Sequence, residues 1–144
     1  MIYLDSSVLV SMHLRDANTP AALILVRGTE EALMMSSLAE FETVNAFSLR
    51  VFRKEMQPIN RDHAVQDLDG DVQSGLLMLL PFPDGAFARA RTLALTLTPT
   101  VGVRAVDLLH VAAALELGAS SLFTFDQKQH RTAQAAGLAV NSLT

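Results

Sequence analysis

The chain has 144 residues, half of them hydrophobic and 18% charged, with no cysteine and a net charge of −4 from 11 Lys and Arg against 15 Asp and Glu. This length fits one domain, residues 1–144, with a sizeable core. The composition excludes intrinsic disorder, and the lack of cysteine excludes disulfides, thiolate metal sites and thiol nucleophiles. A cytoplasmic location is the default expectation. No apolar run reaches the roughly 20 residues of a membrane span, and Met1-Ile2-Tyr3-Leu4-Asp5 has no basic opening of a signal peptide, so no membrane partner is expected.

Ile2 to Asp5 reads as a short buried strand, with a helix from about Ser6 to Arg15 behind it. Asp16-Ala17-Asn18 reads as a turn. Thr19 is expected to N-cap a helix that has Pro20 at its first position and runs to about Arg27. Ala32 to Ser36 suits a second buried strand. Ser37-Leu38-Ala39-Glu40 has the spacing of a capping box, which predicts a long helix from Ser37 to about Lys54. Pro58 and Asn60 are expected to break the chain before a helix from about Arg61 to Gln73.

A third strand is predicted over Leu76 to Leu80, a helix from Asp84 to about Leu97, and a loop over Thr98 to Gly102. Arg104 to Leu117 is apolar almost all round and predicts a buried helix, with Gly118 as its stop. Leu122 to Phe125 reads as a fourth strand, Gln127 to Ala136 as a last helix, and Leu138 to Val140 as a final strand. Neither repeats nor linkers interrupt this alternation. Short apolar strands alternating with helices imply an α/β fold with a mainly parallel sheet covered on both faces. Ligands of such sheets bind beyond the carboxyl ends of the strands.

That edge is where Asp5 and Asp126 fall, at the ends of the first and fourth predicted strands. Each could instead serve as a helix N-cap. Asp107 lies in the first turn of the most apolar helix, where an ionised carboxylate is costly unless it is paired or holds metal. A salt bridge to Arg104, at the i, i+3 spacing, is the structural alternative. If Glu40 serves the capping box, Glu42 is the acid left needing an explanation. It lies roughly 200° around the helix from Glu40, and a solvated helix acid is its plain alternative.

Four acids in one pocket repel one another unless cations neutralise them. Two divalent cations would also offset the net charge, which otherwise argues against a nucleic-acid binder. All-oxygen donor sets select hard ions, Mg²⁺ or Mn²⁺. Such ions activate water and stabilise charge on a phosphodiester, which points to phosphoryl transfer.

Four segments then carry a resemblance: Ile-Tyr-Leu-Asp-Ser-Ser at residues 2–7, Glu-Thr-Val-Asn-Ala at 42–46, Asp-Leu-Leu-His-Val-Ala-Ala-Ala-Leu at 107–115 and Leu-Phe-Thr-Phe-Asp at 122–126. In order and spacing they are similar to PIN-domain proteins, VapC-type toxins in particular, over essentially the whole chain. The resemblance implies a three-layer α/β/α sandwich and Mg²⁺- or Mn²⁺-dependent endonucleolytic cleavage of RNA. It also implies a homodimer and a VapB-type antitoxin partner. The family's acids carry over onto Asp5, Glu42, Asp107 and Asp126, and its small hydroxylated residues onto Ser6 and Thr124. Glu40 can also be aligned with the second acid, although Asn45, three residues after Glu42, favours Glu42. Some members carry a further acid after the last one, and here Gln127, Lys128 and Gln129 supply none.

Among the other residues, Arg104 is a candidate for touching RNA phosphate or for orienting Asp107. Arg50, Arg53 and Lys54 suit the end of the long helix. His110, three residues after Asp107, is expected to be packed and hydrogen-bonded outside the site, and His13, His63 and His130 to lie on the surface. No glycine-rich phosphate loop occurs, so no nucleotide cofactor is expected. Three rival functions remain: a phosphatase with Asp5 as nucleophile, which lacks the second Asp two residues on because Ser7 stands there; a receiver-like domain phosphorylated on Asp5; and a PIN fold with an inactive site acting as a dimeric binding module.

Overall fold

Residues 1–143 are described by the computed structural model. In chain order the elements are β1 (Ile2–Leu4), α1 (Ser6–His13), α2 (Thr19–Arg27), β2 (Leu33–Ser36), α3 (Ser37–Phe52), α4 (Pro58–Gln73), β3 (Leu77–Leu80), α5 (Ala86–Thr96), α6 (Thr98–Val101), α7 (Ala105–Glu116), β4 (Ser121–Phe123), α8 (Gln127–Ala135) and β5 (Ala139–Val140). The strands form one sheet in the order β3-β2-β1-β4-β5, and every pairing is parallel. β1 is central and wholly buried.

Helices α1 to α4 pack among themselves, and α5 to α8 do the same. This follows from the strand order. The chain moves outward from β1 through β2 to β3, then returns across the sheet to β4 and continues to β5. Right-handed crossovers put the helices of the two directions on opposite faces, giving the expected three layers. The direction reverses between β1 and β4, and open α/β sheets bind ligands at such a point.

The local physics is legible in the caps. Asp5 caps α1 and accepts from the Val8 N–H at 3.1 Å. Asp126 caps α8 and accepts from the Gln129 N–H at 2.7 Å. The buried face of α7 contains Leu108, His110, Val111 and Ala112 to Ala114. Gly118, at φ +68°, takes the left-handed turn that ends this helix.

Several elements depart from the sequence reading. Ser36, not Ser37, caps α3, accepting from the Ala39 N–H at 3.3 Å. Ser37 instead accepts the Phe82 N–H at 3.0 Å, tying the start of α3 to the chain after β3. The capping box is therefore not formed, because that hydroxyl is spent on a tertiary bond. Asn18, not Thr19, is the N-cap of α2; Thr19 Oγ donates to the Leu14 carbonyl at 2.8 Å, closing the preceding turn. Pro58 starts α4 instead of breaking it, since a first-turn proline has no hydrogen bond to lose. Thr98 to Val101 is a short helix in place of a loop. α3 stops at Phe52, and Lys54 takes a left-handed φ of 59°.

His13 is also corrected. Its side chain is only 3% exposed, and Nε2 lies 2.7 Å from Asp71. His130 is half-buried, with Nε2 2.7 Å from the Asn141 carbonyl. Among the described residues, no helix is long and apolar enough to cross a membrane.

The cap assignment is testable. Ser36→Ala should cost about 1 kcal/mol or more, the usual value of an N-cap, because it also loses the 2.7 Å bond between Ser36 Oγ and Tyr3 Oη. Ser37→Ala, which loses one exposed bond, should cost less. Urea denaturation of the two variants measures the difference, and the reverse order would reinstate Ser37 as the cap.

Candidate functional site

The carboxyl end of β1 delivers Asp5 into the interior, where it is only 2% exposed. Both of its oxygens are engaged. Oδ1 accepts from Ser7 Oγ at 2.6 Å and from the Val8 N–H, and Oδ2 accepts from Thr124 Oγ1 at 2.6 Å. Burial pushes the Asp5 carboxyl above its ordinary value, against the opposing pull of His110 and these hydrogen bonds.

Ser7 and Thr124 also lock the two strand ends together. Ser7 Oγ accepts from the Phe125 N–H at 2.9 Å, and Thr124 Oγ1 accepts from the Asp126 N–H at 3.0 Å. Asn141 Oδ1 in turn accepts from the Thr124 N–H at 2.7 Å. The Asp126 backbone is thereby tied to Asp5 through Thr124 Oγ1, and its half-buried side chain has Oδ1 on the α8 N-terminus and no hydrogen bond to Oδ2 among the described residues.

Glu42, on the sixth residue of α3, reaches back to this edge. Its Oε1 accepts from Ser6 Oγ and from His110 Nε2, the latter at 2.9 Å. The His110 bond, then Ser6, and then the nearby charges of His110 and Arg104 hold the Glu42 carboxyl below its ordinary value. Glu42 is thus not a solvated helix acid.

Asp107, on the third residue of α7, behaves in the opposite way. Burial raises its carboxyl, and the charges of Asp126 and Glu42 raise it further, while Arg104 and His110 oppose them. Arg104 is a weak counter-ion here. Its Nε stands 3.7 Å from Asp107 Oδ2, beyond hydrogen-bond reach, and its side chain is 83% exposed.

Asp5, Asp126, Glu42 and Asp107 come from four separate segments. Asp107 is close enough to Asp126 and Glu42 to feel both charges. A cleft of about 300 Å³ is lined by Glu42, Arg104, Ala105, Val106 and Asp107. Another cavity of about 290 Å³, beside His13, Arg50 and His63, contains none of the four acids. Among the described residues, no three His, Asp or Glu side chains converge tightly enough to hold a metal ion as they stand.

Sequence reasoning missed three participants. Ser7 follows Ser6 directly and serves Asp5, while Ser6 serves Glu42. Tyr3 shares a strand face with Asp5 at the i, i+2 spacing, and its hydroxyl lies 3.0 Å from His110 Nδ1. His110 is packed and hydrogen-bonded as expected, but its partner is Glu42, and its charge acts on Asp5, Glu42 and Asp107 alike. The i, i+3 spacing from Asp107 was the available signal.

The PIN domain family model matches residues 2–135. The chain belongs to the PIN domain family. No curated protein sequence gives a significant match. Among solved structures, FitAcB from Neisseria gonorrhoeae superposes with a TM-score of 0.70 at 18% identity, covering 99% of this chain and 98% of that one. VapC20 of Mycobacterium tuberculosis, described as a sarcin-ricin loop cleaving toxin, gives 0.72 at 17% identity over 96% and 97%. VapBC2 from Rickettsia felis, solved on a DNA fragment from its promoter, gives 0.68 at 18% identity over 98% of each chain. At these identities the superpositions speak for the fold, and they agree with the parallel five-stranded sheet of this PIN-domain chain.

The raised Asp107 carboxyl fixes the sign of a pH effect. Its ionised form opposes folding above the folded-state titration, and that penalty fades as pH falls through it. Asp107→Asn should therefore raise the melting temperature of the metal-free protein at neutral pH, with the gain shrinking as the solution is acidified into the carboxylate range. Thermal denaturation followed by circular dichroism across that range checks this. A strongly lowered melting temperature at neutral pH would make the Arg104 pair the dominant interaction of Asp107.

Proposed function

We propose that this PIN-domain chain is a VapC-like endoribonuclease, a single nuclease domain over residues 1–144 that hydrolyses RNA phosphodiesters with Mg²⁺ or Mn²⁺ in the cytoplasm. The observation that carries the reading is the half-buried Asp107 carboxyl, raised first by burial and further by the charges of Asp126 and Glu42, at the sheet's switch point that also presents Asp5. Carboxylates so placed repel one another and favour a cation between them. Their oxygen-only chemistry fits a hard divalent ion.

Asp5, Asp107, Glu42 and Asp126 would hold the ion, Glu42 and Asp126 through the oxygens that accept no hydrogen bond among the described residues. A divalent ion held there would supply an activated water and neutralise charge developing on the phosphodiester. Ser6 fixes Glu42, and Thr124 fixes Asp5. Arg104, exposed at the rim beside Asp107, is positioned to meet an RNA phosphate.

The partners follow from the same reading. The structural neighbours include proteins solved as toxin–antitoxin complexes, which supports a VapB-type antitoxin as the inhibitor. A homodimer is supported by an apolar groove of about 270 Å³ lined by Leu38, Phe41, Phe82, Phe87 and Leu109, where Phe41 is 70% and Phe87 65% exposed.

An acyl-phosphate role for Asp5 fits poorly, since both its oxygens are engaged and solvent is excluded. The inactive-site reading draws on the open arrangement of the acids. Mn²⁺ calorimetry and RNA cleavage separate the two. The wild type should bind Mn²⁺ and cut RNA, and Asp107→Asn or Asp5→Asn should lower cleavage by about 10²-fold or more, as loss of transition-state electrostatics does. Absence of both binding and cleavage in the wild type would leave the inactive-site reading. The dimer has its own readout: Phe41→Glu with Phe87→Glu should shift sedimentation from dimer to monomer.

A further inference from the structure

A continuous chain of polar contacts runs from the backbone of α3, through the sheet, to Glu42. The Ala39 N–H donates to Ser36 Oγ at 3.3 Å, Ser36 Oγ lies 2.7 Å from Tyr3 Oη, and Tyr3 Oη lies 3.0 Å from His110 Nδ1. His110 Nε2 then lies 2.9 Å from Glu42 Oε1. Ser36, Tyr3 and His110 are each completely excluded from solvent. The Tyr3 and His110 rings also meet edge to face, with centroids 6.0 Å apart.

The chain has a sense. A carboxylate only accepts, so Nε2 must carry the hydrogen of the His110–Glu42 bond. That nitrogen is then neither a base nor a metal donor while the bond lasts. A buried tyrosine needs a partner for its hydroxyl, and Tyr3 has two, Ser36 and His110 Nδ1. The imidazole is thus gripped at both nitrogens, from β1 on one side and α3 on the other.

We propose that Tyr3 and His110 are positioning residues, a buried clamp that aims the Glu42 carboxylate toward Asp107 and so sets the affinity of the acidic site for its divalent ion. The proposal rests on the nuclease reading for the identity of the ion. It goes beyond the family's acids and hydroxyls, because neither Tyr3 nor His110 is among the residues carried over by resemblance. Hydrogen-bond partners of ligating groups fix their orientation, and their loss typically costs about 10- to 100-fold in metal affinity.

Two measurements test the clamp. In the metal-free wild type at neutral pH, nitrogen-15 spectra of the histidine rings should show His110 Nε2 bearing hydrogen; an unprotonated Nε2 overturns the proposal. In calorimetry with MnCl₂, His110→Leu should weaken binding by about 10- to 100-fold. His110→Gln, whose amide N–H can take the place of Nε2–H, should restore most of that loss. Tyr3→Phe, which deletes a single hydroxyl, should weaken binding as well and guards against misfolding of the His110 variants. If the wild type binds Mn²⁺ and Glu42→Gln abolishes binding, while His110→Leu and Tyr3→Phe bind as tightly as wild type, the clamp is wrong and the nuclease reading stands. If the wild type binds no Mn²⁺, the clamp's role in setting ion affinity is overturned together with the metal site it serves.

Discussion

The burial of the Asp5 carboxylate is the constraint around which this molecule is arranged. A carboxylate shut away from water at the end of the central strand must be given hydrogen-bond donors or be neutralised. Here the donors come from both sides of the switch point: Ser7 and the Val8 N–H from α1, and Thr124 from the chain after β4. The same hydroxyls accept backbone N–H groups from Phe125 and Asp126. Satisfying one acid therefore stitches the β1 and β4 ends together and sets where the next acid stands.

The surrounding acids divide into two electrostatic types, and the division has a structural cause. Glu42 is stabilised as an anion by donors at Ser6 and His110. Asp107 has no hydrogen bond of comparable quality among the described residues, and its charge is penalised first by burial and then by the charges of Asp126 and Glu42. Glu42 is thus favoured as an anion, while Asp107 is disfavoured as one. The rim of the site carries the exposed Arg104, and its floor is the solvent-excluded Ser36–Tyr3–His110 chain. The acids are presented by rigid elements, two by helix N-caps and two by helix interiors, which favours precision over loop mobility.

Much of this was legible in the residues. The alternation of short apolar strands with helices is a strong period signal, and it led to the parallel sheet and its covered faces. Asp5 and Asp126 stood out because each ends an apolar run, and Asp107 because it interrupts an apolar helix. The misread cap and the misread histidine share one origin, a contact made far along the chain. Ser36 and Ser37 are adjacent hydroxyls at a strand-to-helix junction, and local spacing cannot say which one is drawn away to Phe82. His13 looked like a surface histidine because its partner, Asp71, lies 58 residues away.

The sequence by itself determined the fold class, the strand-end acids and the family, since each depends on periodicity, residue type and short motifs encoded within a few residues. Only the tertiary structure decided which hydroxyl serves which acid, that Arg104 leaves Asp107 largely uncompensated, and that Tyr3 and His110 stand behind Glu42. Several of those assignments depend on contacts between residues far apart in the chain, 36 positions for Ser6–Glu42 and 119 for Asp5–Thr124, and their distances and angles are fixed by packing across the sheet.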